Sequence, residues 1–422
     1  MEPKLIWLMM FVGLYWAYCL FWGIKGALLS KTSTDYFLAG RSISMWVFVL
    51  AATATSFSGW TFIGHPGKIF TTGLPYAFAS FYALTIPLTG VLFLRRQWAL
   101  SKAYNYITPG EMYSDYYGGD AIRLLTVLVA FLFSVPYLGV QLRASGDLFH
   151  VLTDGLVGIN FGMFALSTIV VIYVASGGLR SVAYVDCVQC ILLALGIIIL
   201  GTIAIHFSGG WSGFVSGIGE MVRTDISAGN GLTPEGYSSK VAIPGSIQIV
   251  SSGSKAIGGP WTGMMCMTYM FALMGIQSSP AFSMWAFSNK TSRAFRWQQV
   301  VASSVIIGII LFTFTIFQGL GGHVLTANGT IESVNDKNLV PLLINLLTDS
   351  APWLVGLLAV CALAAMQSTG AAYMSTFSGM VTRDIYAKFI APKASDRAQK
   401  LSGRIFVVMV ALAALIVAAN SS

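Results

Sequence analysis

The sequence predicts an all-α protein that crosses a membrane many times. Of its 422 residues, 56% are apolar and only 9% are charged, and the mean hydropathy is +0.74. A soluble domain carries about 25% charged residues and could not hide this much apolar surface. The apolar residues form long continuous runs, which are typical of membrane helices and not of the alternating strands of a membrane barrel. The composition therefore excludes a soluble enzyme, a disordered chain and a disulfide scaffold.

Ten apolar runs are long enough to be membrane spans. They cover 5–28, 44–66, 74–94, 121–142, 160–176, 186–207, 258–287, 298–322, 351–378 and 403–420. The first run lacks a small-residue cleavage site, so we interpret it as a span and not as a signal peptide. The stretch 208–257 is rich in Gly and Ser and is the longest segment between spans. We expect it to be an external loop that holds a short surface helix or a lid.

The positive charges predict the orientation of the chain. Most of its 24 Lys and Arg residues fall in short loops that share one side of the predicted spans. Cytoplasmic loops carry such an excess, so we expect the N-terminus outside the cell. The net charge of +8 is explained as an insertion signal and requires no nucleic acid or acidic partner.

Two predicted spans contain residues that interrupt a helix in mid-membrane. One reads Ala-Ala-Thr-Ala-Thr-Ser-Phe-Ser-Gly-Trp from Ala51 to Trp60, and the other reads Gly-Ile-Gln-Ser-Ser-Pro from Gly275 to Pro280. Non-helical backbone survives at that depth only inside protein or around a watery cavity. The two segments lie an odd number of spans apart, so they run in opposite directions, which predicts an inverted five-helix repeat. The alternative is that Ser and Thr only allow close helix packing.

Small and hydroxyl residues share one face of span 351–378. Ala365, Ser368 and Thr369 stand at positions i, i+3 and i+4 of the predicted helix. Ala54 and Phe57 are three residues apart beside the break in span 44–66. Carbonyl and hydroxyl oxygens without charge suit a hard monovalent cation that must also be released. Taken alone, a Ser-Thr pair more often packs or bonds to the helix carbonyls.

Several motifs, in this order and spacing, resemble the sodium/solute symporter family, which includes carriers of proline, pantothenate, sialic acid and sugars. The resemblance runs from Tyr36 to the end of the chain. It rests on Tyr36-Phe-Leu-Ala-Gly-Arg-Ser42, Ser58-Gly-Trp60, Gly64-His-Pro-Gly67, Gly177-Gly178 with Asp186 and Gln189, Ala364-Ala365 with Ser368-Thr369, and Arg383-Asp-Ile-Tyr386.

The resemblance implies a leucine-transporter-like fold, in which two inverted five-helix repeats follow one extra helix. Residues 1–422 would then form a single transmembrane domain. Its parts would be the extra helix 5–28, the first repeat 44–207, the external loop 208–257 and an incomplete second repeat 258–420. The tenth core helix is missing from this scheme, so we expect the sequence to be truncated.

The resemblance also implies an ion site. The family's common sodium site corresponds to the carbonyls of Ala54, Phe57 and Ala365 and the hydroxyls of Ser368 and Thr369. Some members bind a second sodium ion with an acidic residue near the start of the fifth core helix and with hydroxyls about one turn beyond the first site. This chain has the acid, Asp186, but has alanines at the hydroxyl positions 371 and 372. We therefore expect one transported sodium ion rather than two.

Polar residues near the two breaks are candidate solute contacts, although for each one alone packing is at least as favoured. They are Ser56, Ser58, Trp60, Thr61, Ser80, Tyr137, Gln141, Gln277, Ser278 and Ser279. The proline carriers have an aspartate where Ser56 stands, which argues against a solute that carries an ammonium group.

Asp186 and Arg143 are candidate gate or coupling residues, because ionisable groups in spans are functional candidates. Asp186 could instead cap the N-terminus of span 186–207. Arg143 could snorkel to the membrane edge or pair with Asp147, and this reading is favoured. If Arg143 faced the pathway, a carboxylate solute would be favoured.

These expectations describe a sodium-coupled symporter of the bacterial inner membrane that imports a small organic solute by alternating access. The alternative is a symporter-like sensory membrane domain of a larger signalling protein, such as a histidine kinase. The sequence shows no nucleophile–base pair, phosphate loop or cofactor motif, so we expect neither an enzyme nor a cofactor beyond the sodium ion. The expected partners are the solute and the lipid bilayer. The sequence selects neither a particular solute nor an oligomeric state.

Overall fold

The computed structural model of the chain is helical. It describes residues 2–227, 239–241, 243, 249–250, 261–332 and 334–421. Its helices are α1 (Pro3–Leu29), α2 (Ser33–Leu38), α3 (Met45–Ser56), α4 (His65–Thr72), α5 (Leu74–Ala79), α6 (Tyr82–Tyr104), α7 (Pro109–Tyr117), α8 (Asp120–Leu152), α9 (Ile159–Phe207), α10 (Gly210–Ser227), α11 (Gly263–Ala272), α12 (Pro280–Ser288), α13 (Ala294–Arg296), α14 (Gly308–Ala327), α15 (Leu339–Asn345), α16 (Pro352–Met380) and α17 (Asp396–Asn420).

Many of these helices can cross a membrane. Within the described ranges, seven segments are long and apolar enough to do so, and a bent pair makes an eighth. The predicted spans 160–176 and 186–207 both lie in α9, which accounts for part of the difference from ten. The first residues of span 258–287 and most of loop 208–257 lie outside the described residues. The short helix expected in that loop is present as α10, whereas the predicted lid falls on residues that are not described.

The two spans in α9 meet at Gly178. This residue has φ +62° and ψ −155°, a backbone conformation that is essentially restricted to glycine. A Cβ atom added here would also lie 2.2 Å from the carbonyl oxygen of Tyr36. The helix resumes directly after Gly178, about two turns before residue 186, where the sequence placed the start of the next span.

The helix break predicted in span 44–66 is present. α3 ends at Ser56, and Phe57 has an extended backbone with φ −122° and ψ 112°. The chain then re-enters helix through a π-helical turn, Trp60–Gly64, that leads into α4. The two halves are bent by 57°.

The second predicted break is also present. α11 gives way to a 3-10 segment, Leu273–Ser278. Ser279 has an extended backbone with φ −67° and ψ 154°, and α12 starts at Pro280. Proline suits the first turn of a helix, because the N–H it lacks would have no helical partner there.

α16 forms the centre of the bundle. Of the residues in its most apolar stretch 89% are buried, whereas in the most apolar stretch of α1 only 22% of the residues are buried. It packs against α1, α3, α8, α9, α12 and α17. Alanines at 362, 364, 365, 371 and 372 and the glycine at 370 keep its surface smooth, which lets neighbouring backbones approach closely.

Charged residues anchor the far end of α16, where it continues as a π-helical segment, Val381–Ile390. Arg123 Nε at the start of α8 lies 2.7 Å from Asp384 Oδ1. Arg383 Nη2 lies 2.8 Å from Glu111 Oε1 on α7. Asp384 is fully buried, so these pairs fix the helix end to α7 and α8.

We expect Gly178→Ala to destabilise the protein by about 1–3 kcal/mol, because alanine strains this backbone conformation and its methyl group meets the Tyr36 carbonyl. The thermal midpoint of the purified protein in detergent measures the effect. Gly13→Ala on α1 is the matched control, since a Cβ atom there would have no neighbour within 4 Å. Equal midpoints for the two variants would contradict the role assigned to Gly178.

Candidate functional site

The end of α3 lies against the middle of α16 at the first helix break. The Ser368 hydroxyl on α16 lies 3.2 Å from the carbonyl oxygen of Ala54 and 3.2 Å from that of Ala365. A hydroxyl has one proton, so it can donate to only one of these carbonyls at a time. Three of the five predicted ion ligands are therefore close together, and they are fully buried.

The other two predicted ligands border this group. Thr369 follows Ser368 on α16, and its buried hydroxyl oxygen has no hydrogen-bond partner among the described residues. Phe57 is the first residue beyond α3, and its N–H donates to the Ala54 carbonyl at 3.3 Å. A buried hydroxyl without a partner is costly, so Thr369 fits a position that contacts an ion.

A hydrogen bond joins the two helix breaks. Gln277 Nε2, in the second break, donates to Ser56 Oγ at the end of α3 over 2.9 Å. Ser56 Oγ in turn donates to the Ala52 carbonyl at 3.0 Å. Gln277 Oε1 is buried and accepts no hydrogen bond within the part of the chain that the structure describes. The breaks therefore face each other, and one polar acceptor between them is left for another molecule.

Three candidate solute contacts bind the broken backbone instead. Gln141 Oε1 on α8 accepts a 2.8 Å hydrogen bond from the N–H of Gly59. The N–H of Ser58 donates to Thr61 Oγ1 at 3.3 Å, and the N–H of Trp60 donates to Ser58 Oγ at 3.2 Å. These side chains provide partners for backbone groups that the break releases. The side chain of Trp60 itself is 41% exposed.

Ser278 and Ser279 do not share the contacts of Gln277. They line a groove of about 410 Å³ together with Ser134, Tyr373 and apolar residues of α8. Ser279 Oγ lies 3.2 Å from the Tyr373 hydroxyl, and the ring of Tyr137 packs edge-on against Tyr373 at a centroid distance of 5.4 Å. Gln277 does not line this groove, whose surface is mostly apolar with a few hydroxyl groups.

Ser80 is placed apart from the other candidates. Its buried hydroxyl contacts His65 on α4 and donates to the Tyr76 carbonyl at 3.0 Å. Neither partner belongs to the breaks at 56–60 or 273–279. The structure therefore does not bring Ser80 into contact with the remaining solute candidates.

Asp186 lies inside a helix and does not cap one. α9 resumes directly after Gly178, so the carboxylate stands two turns beyond the helix start, where it cannot cap the first N–H groups. The capping alternative is therefore wrong. Both carboxylate oxygens are fully buried and accept no hydrogen bond from the residues described. The side chain of Arg143, by contrast, is partly exposed, and its Nε lies 3.4 Å from Asp147 Oδ1, which is the pairing that the sequence favoured.

The sequence did not reveal a second buried polar group beside the ion ligands. Tyr15, Gln189 and Gln367 meet between α1, α9 and α16. Gln367 carried a signal, since an amide side chain in the middle of an apolar span is costly. Tyr15 carried none, because a single tyrosine in a membrane helix is ordinary.

The comparisons with known proteins fit this geometry. A family model described as "Sodium:solute symporter family" matches residues 36–422. The chain belongs to the sodium:solute symporter family. The sodium/proline symporter of Escherichia coli is 26% identical over 406 residues, which cover 93% of this chain and 72% of that protein. The sodium/glucose cotransporter of Vibrio parahaemolyticus is 24% identical and is matched over 92% of this chain and 69% of its own length.

Solved structures agree on the fold. The substrate-bound, outward-open structure of a Na⁺-coupled sialic acid symporter gives a TM-score of 0.78 at 18% identity, over 99% of this chain and 82% of that one. The structure of MhsT in complex with L-phenylalanine gives a TM-score of 0.55 at 14% identity, over 87% of this chain and 78% of that one. The predicted leucine-transporter-like fold is confirmed.

Family membership confirms the functional class that the sequence predicted. The chain is a multi-pass membrane protein and a sodium-coupled transporter of a small solute, not an enzyme. Sodium is the co-transported ion. The relatives reported above are carriers, which favours a carrier over a sensory domain.

We expect Gln141→Leu to destabilise the protein by about 1–3 kcal/mol, because it leaves the buried N–H of Gly59 without an acceptor. Gln141→Glu retains an acceptor oxygen at the same position and should lose less. The thermal midpoints of the two purified variants test this order. A leucine variant that is as stable as the parent chain would show that Gly59 does not depend on Gln141.

Proposed function

We propose that this transporter imports a small organic solute and binds one sodium ion between the end of α3 and the middle of α16. The observation that carries the proposal is the position of Ser368 Oγ, which lies 3.2 Å from the carbonyl oxygens of both Ala54 and Ala365. The Thr369 hydroxyl beside it has no partner among the described residues. Phe57, at the break, contributes its carbonyl oxygen as the fifth ligand.

The chemistry of these oxygens suits a sodium ion. All five are neutral, so they can replace part of the water shell of a monovalent cation without binding it too tightly for release. Their lone pairs would face the ion, and the proton of each hydroxyl would point away from it. The single proton of Ser368 can bond to only one of the two carbonyl oxygens. A bound ion would interact with both of them.

Sodium binding would be coupled to solute binding through the helix break. The ion would hold the end of α3 against α16, and the Gln277–Ser56 hydrogen bond would transmit this position to the second break. The solute site would then be complete only when α3 is held. Loss of sodium to the cytoplasm would release α3 and let the solute leave on that side, so sodium moving inward would drive uptake.

The solute is proposed to contact Gln277 first, because its buried Oε1 lacks a partner among the described residues. The candidate surface is completed by Ser56, Trp60, Tyr137 and the groove at Ser278 and Ser279. These groups are neutral, so they favour a small polar solute over one whose recognition needs a charged partner. The names of the relatives cover proline, glucose and sialic acid, and therefore do not select one solute.

The remaining assignments complete the proposal. We place the protein in the bacterial inner membrane with its N-terminus outside, on the distribution of its Lys and Arg residues. We assign 44–207 and 258–420 to the two repeats, since each begins with a broken helix. Asp186 is a coupling candidate, because its buried carboxylate lies beside the end of α3, next to Thr55.

We expect Ser368→Ala and Thr369→Ala each to weaken sodium binding by about 1–3 kcal/mol, since each removes one neutral ligand. Equilibrium binding of ²²Na⁺ to the purified transporter measures this directly and requires no solute. Ser378→Ala is the matched control, because this buried hydroxyl on the same helix donates only to the Ser375 carbonyl, at 2.9 Å. If the double variant bound sodium like the parent chain, the site assignment would be wrong.

We expect the sodium-binding isotherm to show a Hill coefficient of about one, with one ion per chain at saturation. The physical reason is that Ala371 and Ala372 are buried and offer no side-chain oxygen for a second ion. Counting bound ²²Na⁺ against protein concentration gives the stoichiometry. Two ions per chain would refute the expectation, and loss of one of them in Asp186→Asn would assign it to that carboxylate.

A further inference from the structure

A buried polar cluster joins three helices beside the hydroxyls of α16. It consists of Tyr15 on α1, Gln189 on α9 and Gln367 on α16, and we call it the Tyr15 cluster. Gln189 Nε2 donates to the Tyr15 hydroxyl at 2.5 Å and lies 3.5 Å from Gln367 Oε1. Gln189 and Gln367 are fully buried, and Tyr15 is almost so. The cluster therefore connects α1 to the central helix by polar contacts.

The cluster is costly to keep in a membrane interior. Gln189 Oε1 and Gln367 Nε2 are buried and have no hydrogen-bond partner in the described ranges. Apolar side chains at these positions would avoid that cost, and polar groups retained in spans are functional candidates. Because α1 precedes the first repeat and packs against α9 and α16, the cluster gives the extra helix a point of contact near the ion ligands.

The side on which Gln367 makes its contacts is important, because small residues around it resist rotation of α16 only weakly. Gln367 directly precedes Ser368, and successive residues of a helix point about 100° apart. Gln367 thus faces α1 and α9 while Ser368 faces the end of α3. The alanines and the glycine around Ser368 have side chains too small to interlock with neighbouring helices and so to prevent rotation about the helix axis. A rotation of about 15° would shift each Cα by about 0.6 Å, which is enough to lengthen a contact between an ion and its ligand.

Other polar contacts of α16 act elsewhere. The ion pair between Arg123 and Asp384 fixes the end of its π-helical extension, about four turns from Ser368. The Tyr373 hydroxyl, between one and two turns from Ser368, contacts Ser279 at the second break. Within the described part of α16, Gln367 is the polar side chain that contacts α1, through the Cys19 thiol at 4.0 Å and through Gln189. The Tyr15 cluster is thus the directional restraint closest to the ion ligands.

We propose that Tyr15 is a positioning residue for sodium: through Gln189 and Gln367 it fixes the rotation of α16 and so the distance between Ser368 Oγ and the Ala54 carbonyl. The inference rests on the proposed sodium site. It gives α1, which lies outside both repeats, a part in ion binding without any contact with the ion.

The test is ²²Na⁺ equilibrium binding to the purified full chain carrying Tyr15→Phe. The dissociation constant should rise about three- to tenfold, as expected for loss of one hydrogen bond between membrane helices. The thermal midpoint without sodium should stay near that of the control Tyr18→Phe. Tyr18 lies on the same helix, and its hydroxyl donates to the Tyr184 carbonyl at 2.9 Å, outside the cluster. Tyr18→Phe should keep the parent affinity for sodium.

A second variant keeps the test decisive if Tyr15→Phe folds poorly. Gln189→Met removes the central amide, and it should raise the dissociation constant by a similar factor. The double variant should be no weaker than the poorer single variant, because both act through one path. Parent-like sodium affinity in Gln189→Met, or in a folded Tyr15→Phe, would overturn the inference, and so would fully additive effects.

Ser368→Ala, measured alongside, separates the two proposals. If Ser368→Ala weakens sodium binding while both cluster variants bind like the parent chain, only the role of Tyr15 is wrong. If Ser368→Ala also binds like the parent chain, the proposed sodium site itself is wrong.

Discussion

A membrane helix that stops in mid-membrane must provide partners for the backbone groups it releases, and this constraint organises the protein. Lipid offers none, so every freed N–H and carbonyl has to be matched by protein, water, ion or solute. The N–H groups beyond α3 are matched by Gln141, Ser58 and Thr61. The carbonyl oxygen of Ala54, at the end of α3, faces the hydroxyl of Ser368. The carbonyl oxygens of Ala54 and Ala365 converge on this one hydroxyl, and a cluster of neutral oxygens of this kind suits a cation.

The position of α16 follows from the same constraint. A helix that supplies hydroxyls to another helix's carbonyls must come very close to it, and only small residues allow that approach. The alanines and glycines of α16 permit this close contact, but they do not fix the rotation of the helix about its axis. Polar contacts at separate points restrain its rotation: Asp384 beyond its end, Tyr373 with Ser279, and Gln367 near the middle. On α16, small residues allow the close approach, whereas polar contacts fix the rotation of the helix.

The sequence predicted the fold well where chemistry marks it. Gly, Pro and runs of hydroxyl residues placed both helix breaks correctly, because such residues are costly in membrane helices unless they are used. It failed where orientation depends on packing. Ser80 faces His65 and not the breaks, and no local pattern states which way a hydroxyl on a membrane helix points. Asp186 begins the apolar run 186–207, which offered it as a helix cap, whereas the helix already starts after the kink at Gly178.

The proposed use of backbone carbonyls as ion ligands has a consequence for sequence divergence. Every residue type carries a carbonyl oxygen, so positions 54, 57 and 365 require a particular backbone path rather than a particular side chain. Only at positions 368 and 369 would the proposed ion site require a particular type of side chain. In the described portion of the chain, no three His, Cys, Asp or Glu side chains are grouped as a metal centre would require. A search for metal-binding side chains would therefore pass over a site of this kind.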